Sequence, residues 1–314
     1  MSQPTVFVSA PVPDDLLEEL AREFDVVAVP PGTTQDLGRY GSPVGWLMGG
    51  GTPIDAGVLA QLPDLKVVSN SGVGYDSLVM DDIRAAGVIA ANTPGVLDNA
   101  VAEIALGLVL SLGRGIVGFD RFTRDGRWAD GAAPLTRDVH GKTVGVLGMG
   151  RIGKRVAQLL QPLGVSVIYH NRARRPEIDE SGLAQWRERE AFFAESDFVV
   201  VLVPLSPQTR GYVGAADLAR MQPTAYLINL ARGAVVDTPA LVEAIRSGQI
   251  AGAGLDVFDV EPLPLDDELQ TLPNVILLPH IGSATAETRR AMSELAVRNL
   301  RNGSLGQPVE TPIP

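Results

Sequence analysis

The sequence predicts an α/β protein of two doubly wound domains, each built on a parallel sheet. Three observations predict this class. The 314 residues exceed what one hydrophobic core usually holds, which favours two domains. Short apolar runs alternate with helical patterns along the chain, as in βαβ units. Several of those runs contain almost no polar residue, as expected for strands that are covered on both faces.

The predicted elements fall into two series along the chain. The first series has strands at 5–10, 25–29, 46–48 and 66–69, helices at 14–24 and 54–62, and a long apolar helix at 98–117. The second series begins near His140 and has strands at 142–148, 165–170, 197–204, 225–230, 250–257 and 274–279, with helices at 151–163 and 286–302. Each series is long enough to form a doubly wound domain.

Composition excludes several classes of function. The net charge of −11 disfavours binding to nucleic acid, because an acidic surface repels phosphates. The absence of cysteine excludes disulfides, thiolate metal sites and a cysteine nucleophile, and no metal site is predicted. The N-terminus has no basic region before an apolar run, and the longest apolar stretch, Val101–Leu112, is too short to span a membrane. We therefore expect a soluble, cytoplasmic protein that acts on a small molecule.

A glycine-rich motif lies at the junction of the strand at 142–148 and the helix that follows. Gly148, Gly150 and Gly153 form the pattern G-x-G-x-x-G. In this pattern the first glycine makes a tight turn, the second admits a pyrophosphate, and the third lets the helix pack closely on the strand. Backbone N–H groups at the helix N-terminus hold the anion. The motif predicts a dinucleotide site.

The end of the next strand carries the signal for cofactor choice. An acidic residue is expected here to bind the ribose hydroxyls of NAD, but the sequence has Asn171 followed by three arginines in four positions. A guanidinium binds a 2′-phosphate, whereas a carboxylate repels it. Arg172 and Arg174 therefore predict a preference for NADP(H) over NAD(H). The alternative is a solvated basic turn.

Three more polar groups follow apolar strands of the second series: Arg232, Glu261 and His280. Ligands of open α/β sheets bind outside the carboxyl ends of the strands, so these side chains are predicted to meet there. Histidine is the natural proton donor near neutral pH. A carboxylate beside it would stabilise the imidazolium, and an arginine would polarise a carbonyl and bind a carboxylate.

With these motifs, the chain from about residue 60 to its end resembles the D-isomer-specific 2-hydroxyacid dehydrogenase family. Within the family it is most similar to the NADP(H)-linked glyoxylate/hydroxypyruvate reductases and the hydroxyphenylpyruvate reductases, through residues 169–172 and 280–285. The resemblance implies a Rossmann-like cofactor domain, 98–282, inserted in a discontinuous substrate domain, 1–97 and 283–314. It implies reduction of a small 2-keto acid to the D-2-hydroxy acid.

The resemblance also implies the site residues. Those matching the cofactor site are Gly148, Met149, Gly150, Arg151, Ile152, Gly153, Asn171, Arg172, Arg174, Pro204, Thr209, Leu230, Asp256 and Gly282. Those matching the substrate site are Val73, Gly74, Arg232, His280 and Ser283, with Arg232, Glu261 and His280 as the catalytic residues. The first 60 residues match only loosely, so the identity of the acid stays open.

Two other functions remain open, and the sequence also predicts an oligomeric state. Some relatives with this fold are nucleotide-sensing corepressors that bind protein partners, although the acidic surface and compact length favour an enzyme. A dehydrogenase that uses NAD(H) is the other alternative, and Asn171 argues against it. The helix at 98–117 is apolar on nearly every face and must be buried, which predicts a homodimer through it and its flanks.

Overall fold

The computed structural model describes residues 3–314, and this range contains twelve strands and eleven α-helices. The strands are β1 (Thr5–Val8), β2 (Asp25–Ala28), β3 (Pro43–Met48), β4 (Val67–Asn70), β5 (Ile89–Ala91), β6 (Thr143–Leu147), β7 (Ser166–His170), β8 (Gln185–Trp186), β9 (Phe198–Val201), β10 (Tyr226–Asn229), β11 (Gly252–Leu255) and β12 (Val275–Leu277). The helices are α1 (Asp14–Ala21), α2 (Ala56–Leu59), α3 (Met80–Ala85), α4 (Asp98–Arg114), α5 (Ile116–Arg124), α6 (Arg151–Leu160), α7 (Pro176–Glu180), α8 (Arg189–Glu195), α9 (Ala215–Leu218), α10 (Thr238–Arg246) and α11 (Ala286–Ser304).

One compact unit combines the chain up to Leu97 with Thr285–Pro314. Its sheet is parallel throughout, with strand order β2-β1-β3-β4-β5. The C-terminal helix α11 packs against β3 and β4, where Leu300 and Ala296 join Val67 in a buried cluster. The hydroxyl of Ser69 donates to the carbonyl of Ala296 at 2.8 Å, which ties the strand to the helix. The end of the chain thus completes the core of its first part.

The second compact unit is Asp98–Ala284, built on a seven-stranded parallel sheet. Its strand order is β12-β11-β10-β9-β6-β7-β8. Along β9 the side chains alternate: Val199 and Val201 join one buried cluster, and Phe198 and Val200 join another. This alternation buries both faces of the sheet, which is why the strands are almost wholly apolar. The predicted fold class is confirmed.

The long apolar helix differs from its prediction at one end. A single helix over 98–117 is wrong in its last turn, because α4 ends at Arg114 and α5 begins at Ile116. Between them Gly115 has a φ of 62°, a left-handed conformation that breaks the helix and that glycine adopts at little cost. The strands β5 and β8 were not predicted, since three and two residues carry too little pattern.

No single helix within residues 3–314 is long and apolar enough to cross a membrane. By length and composition α4 and α5 pass such a test only as a pair, and they are bent by 59° at their junction. Much of α4 is instead buried in its own unit, including Ala105, Leu108 and Val109. The cytoplasmic location stays a prediction.

Candidate active site

The candidate site lies at the carboxyl edge of the seven-stranded sheet. All neighbouring strands in this sheet are parallel, so their carboxyl ends share one edge. Several predicted site residues lie within three residues of these ends. They are Gly148 after β6, Asn171 after β7, Pro204 after β9, Leu230 and Arg232 after β10, Asp256 after β11, and His280 after β12. The edge is where ligands of open α/β sheets bind.

The three glycines between β6 and α6 have three different physical reasons to be glycine. Gly148 has a φ of 104°, which a residue with a Cβ rarely adopts. A Cβ on Gly153 would lie 2.5 Å from the carbonyl oxygen of Gly148, so the third glycine is required for close packing. A Cβ on Gly150 would meet no atom within 4 Å. Packing therefore does not require the second glycine, whose missing side chain leaves open space at the start of α6.

That open space is suited to a phosphate. Gly150 caps the ten-residue helix α6, and the N–H groups of Arg151 and Ile152 in its first turn have no backbone acceptor within residues 3–314. Such N–H groups and the positive end of the helix dipole bind anions. The residues present therefore fit a dinucleotide pyrophosphate.

The loop after β7 is drawn onto the glycine loop by two side chains. The N–H of Met149 donates to Oδ1 of Asn171 at 2.7 Å, and Nη1 of Arg175 donates to the carbonyl of Met149 at 2.8 Å. The contact of Arg175 was not predicted, although Arg175 is the third arginine of the same run. Arg174 pairs with Asp179 at 3.3 Å. Arg172 is exposed and has no hydrogen bond or ion pair with a described residue.

Tyr169, at the end of β7, holds the base of this loop. Its buried hydroxyl accepts from the N–H of Arg175 at 2.8 Å and lies 2.8 Å from Oδ2 of Asp179. Asp179 also accepts from the N–H of Trp186 at 2.9 Å, and these bonds together hold its pKa below the usual value although burial opposes them. The loop that carries Arg172 is therefore anchored on both sides.

In the turns after β9 and β10, side chains of the turn itself form hydrogen bonds with its backbone. Oγ1 of Thr209 donates to the carbonyl of Pro204 at 2.6 Å and accepts from the N–H of Ser206 at 2.7 Å. After β10, Nδ2 of the buried Asn229 donates to the carbonyl of Arg232 at 2.9 Å, and Nη1 of Arg232 donates to the carbonyl of Ala231 at 2.8 Å. Arg232 is half-buried and extended. Its backbone is thus held at the sheet edge.

The structure brings His280 and Glu261 together. Nδ1 of His280 lies 2.7 Å from Oε2 of Glu261, and Oε1 of Glu261 accepts from the N–H of Phe258 at 2.9 Å. Because Nδ1 faces the carboxylate, Nε2 is the ring nitrogen left for a ligand. Both side chains are partly exposed. The structure therefore places the two residues predicted as an acid–base pair within hydrogen-bonding distance.

A buried carboxylate fixes the turn on which His280 lies. Asp256 is 2% exposed, and its two oxygens accept from the N–H groups of Ile281 and Gly282, each at 2.7 Å. Burial raises the pKa of Asp256 above the usual range, although the two N–H bonds oppose this. His280 has a φ of 53°, in the left-handed region. Asp256 therefore acts on the backbone next to His280, a role that its motif position alone did not predict.

Three predicted substrate-binding residues lie outside these turns. Ser283 is half-buried and follows directly after Gly282. Val73 and Gly74 are half-buried in the loop after β4, in the other compact unit. His140 and His170, which had no predicted partners, bond to the carbonyls of Leu163 and Arg187.

Comparison with known proteins gives one consistent result. The family model "D-isomer specific 2-hydroxyacid dehydrogenase, NAD binding domain" matches residues 106–282, which is more than half of the chain. A glyoxylate reductase of Thermococcus gammatolerans is 40% identical over 96% of this chain and 94% of its own length. A glyoxylate/hydroxypyruvate reductase B of Klebsiella pneumoniae is 39% identical over 95% of this chain and 94% of its own.

A solved structure agrees with these relatives. The NADPH-dependent glyoxylate/hydroxypyruvate reductase of Sinorhizobium meliloti, crystallised with NADP and malonate, superimposes with a TM-score of 0.89. It is 36% identical and covers 99% of this chain and 97% of its own.

Proposed function

The chain belongs to the D-isomer specific 2-hydroxyacid dehydrogenase family, and on that premise we propose that it reduces a small 2-keto acid to the D-2-hydroxy acid with NADPH. The proposed substrates are of the glyoxylate and hydroxypyruvate type. Relatives that align with nearly the whole chain are named for these acids, which supports the choice. Residues 98–282 are the proposed cofactor domain, and residues 1–97 with 283–314 the substrate domain.

The observation that carries this proposal is the His280–Glu261 pair at the sheet edge. Reduction of a ketone leaves a negative oxygen that needs a proton, and His280 delivers it from Nε2. Glu261 holds the other ring nitrogen, orients the ring and stabilises the imidazolium. Glu261 is itself oriented by the N–H of Phe258. The pair therefore supplies a general acid together with the group that positions it.

The keto acid is held by charge and by backbone amides. The guanidinium of Arg232 polarises the carbonyl and binds the carboxylate, which fixes the orientation of the reacting carbon. We also propose Val73, Gly74 and Ser283 as substrate-binding residues, as the resemblance to the family implies. Because the net charge is −11, an anionic substrate needs a local positive group to bind, and we propose that Arg232 supplies it.

The glycine loop and the loop after β7 fit NADP(H). The open space at Gly150 supports binding of the pyrophosphate, and so do the N–H groups at the start of α6, which have no backbone acceptor within residues 3–314. When bound, the nicotinamide supplies the hydride to the keto carbon. The protein's own residues supply the proton, the orientation of the substrate and the exclusion of other geometries.

We expect hydride transfer from deuterated cofactor to a keto acid. The experiment incubates the protein with NADPH that carries deuterium at both C4 positions and with glyoxylate, hydroxypyruvate, pyruvate, phenylpyruvate or 2-ketogluconate in turn. Mass spectrometry should find one deuterium on C2 of the hydroxy acid, because carbon accepts the hydride and oxygen the solvent proton. Cofactor binding without turnover of any acid would contradict the proposal and favour a nucleotide-sensing binding protein.

Preference for NADPH is proposed from the loop after β7. Arg172 is exposed and unpaired within residues 3–314, so its guanidinium is available to a 2′-phosphate. Arg174 is two residues further along the loop, but Asp179 already takes one of its donors. Asn171 gives its oxygen to the N–H of Met149, and position 171 therefore carries no anion to repel the phosphate or to bind a ribose hydroxyl. The proposed cofactor is therefore NADP(H).

The double substitution Asn171→Asp with Arg172→Ala should narrow or reverse the preference. Wild-type protein is expected to favour NADPH by about tenfold to a few hundredfold in kcat/KM, from contacts of roughly 1.5–3 kcal/mol each that are partly exposed. Aspartate keeps the acceptor for Met149 and adds the charge, so the fold is conserved. Arg174→Ala is the matched control and should lose less. A wild type that uses NADH equally well would mean that the arginines form only a solvated turn.

A homodimer is proposed through the flank of the long apolar helix. Within residues 3–314, no side chain of α5 is buried, and Ile116, Trp128 and Leu135 are 52%, 68% and 99% exposed. Exposed apolar surface of this kind marks contact with another chain. Sedimentation at micromolar concentration should give about twice the chain mass of 33.2 kDa. A stable, active monomer would contradict the dimer.

A further inference from the structure

The loop that follows β4 has its carbonyls bound by asparagine side chains. Nδ2 of Asn70 donates to the carbonyl of Gly72 at 3.2 Å and to that of Gly74 at 2.8 Å. Nδ2 of Asn92 donates to the carbonyl of Val73 at 2.8 Å. Three consecutive carbonyl groups are therefore held by two side-chain amides.

These bonds also fix the direction of the loop's N–H groups. The peptides here are trans, and in a trans peptide the carbonyl and the following N–H point in opposite directions. A bound Gly72 carbonyl thus turns the N–H of Val73 away from Asn70, and a bound Val73 carbonyl turns the N–H of Gly74 away from Asn92. Neither N–H has a backbone or side-chain acceptor within residues 3–314.

The Gly72 carbonyl also accepts from the N–H of Thr93 at 3.0 Å, whereas the Val73 and Gly74 carbonyls bond only to the asparagine amides within residues 3–314. Without the amide bonds the loop would rearrange more easily. Gly72 and Gly74 flank the two peptides, and glycine allows the broadest range of backbone conformations. A loop that becomes ordered only when it binds a ligand has a lower affinity, because the ordering costs free energy. The asparagine bonds order this loop in advance and so avoid that cost.

The surroundings of Asn70 indicate that its amide donors are the reason for a polar residue at this buried position. It is 1% exposed, and its Oδ1 is buried with no hydrogen-bond partner in the described chain. An unpaired buried oxygen costs free energy, so a residue chosen only to fill the core would be apolar. The donors to Gly72 and Gly74 offset that cost.

The backbone of Asn92 is hydrogen-bonded to the C-terminal segment of the chain. Its N–H donates to the carbonyl of Thr311 at 3.3 Å, and Oγ1 of Thr311 donates to the carbonyl of Asn92 at 2.6 Å. The buried amide of Asn299 donates to Oγ1 of Thr311 at 2.8 Å. The C-terminal segment therefore fixes the backbone from which Asn92 reaches the loop.

We propose that Asn70 and Asn92 are positioning residues that hold the N–H groups of Val73 and Gly74 ready for the carboxylate of the keto acid. Neither asparagine touches the substrate. The inference rests on the proposed function, because it takes the keto acid as the ligand of this loop. It adds the reason why a loop with two glycines has one defined conformation.

The test compares an acid with its uncharged ester. Asn92→Asp keeps the size of the side chain and replaces the donor with an acceptor, and Asn92→Ala removes it. For glyoxylate, kcat/KM should fall about tenfold, chiefly through KM, as expected for one lost hydrogen bond. For methyl glyoxylate it should change little, and so should the Kd of NADPH. Gln61→Ala is the matched control, because its amide also donates to backbone carbonyls of this unit, those of Thr34 and Gly57.

The outcomes separate the two proposals. An equal loss for acid and ester in the Asn92 variants, or no loss for either, overturns the positioning role while the proposed function stands. A wild type that does not prefer the acid to the ester overturns both. If Asn92→Asp does not fold, Thr311→Val removes the hydroxyl that donates to the Asn92 carbonyl and accepts from Asn299, and it should give a smaller loss confined to the acid. If Thr311→Val shows no such loss for the acid, the inference is overturned.

Discussion

The buried carboxylate of Asp256 is the constraint on which the proposed catalytic edge depends. Its two oxygens accept from the consecutive N–H groups of Ile281 and Gly282. The chain makes this possible by placing His280 at a φ of 53°, which residues other than glycine rarely adopt. Such a conformation is kept where the surrounding contacts stabilise it, and here the bonds from two N–H groups to the buried carboxylate of Asp256 do so. A Cβ on Gly282 would lie 3.0 Å from Oδ2, so glycine allows the close approach.

The same principle recurs at several of the described loops: a side chain fixes the backbone, and the backbone positions the proposed site residues. Asp256 fixes the turn at His280, Asn229 fixes the turn at Arg232, and Tyr169 fixes the loop that carries Arg172. Polar side chains that are buried near these loops therefore act mainly on the backbone. The parallel sheets supply rigid strand ends from which these short loops start.

The sequence predicted what depends on local pattern and on spacing. Apolar runs predicted the parallel sheets, and glycine spacing predicted the turn between β6 and α6. What it did not predict depends on side chains that meet across the fold. Asn171 turns back to Met149, Arg175 reaches the same residue over 26 positions, and Asn92 reaches Val73 over 19. No periodicity records such contacts, because each is set by the packing of separate elements. Only the left-handed Gly115 could have been suspected, as a glycine near the end of a helical pattern.

We propose that His280, which pairs with Glu261 on a turn fixed by Asp256, donates the proton in keto-acid reduction. The most direct measurement is kcat of His280→Ala with NADPH and hydroxypyruvate, beside His140→Ala as the control, since His140 is an exposed histidine whose ring bonds within residues 3–314 only to the Leu163 carbonyl. We expect a fall of about 10²–10⁴-fold in kcat for His280→Ala, the usual contribution of a general acid, with the Kd of NADPH unchanged. Turnover near that of the wild type would contradict it.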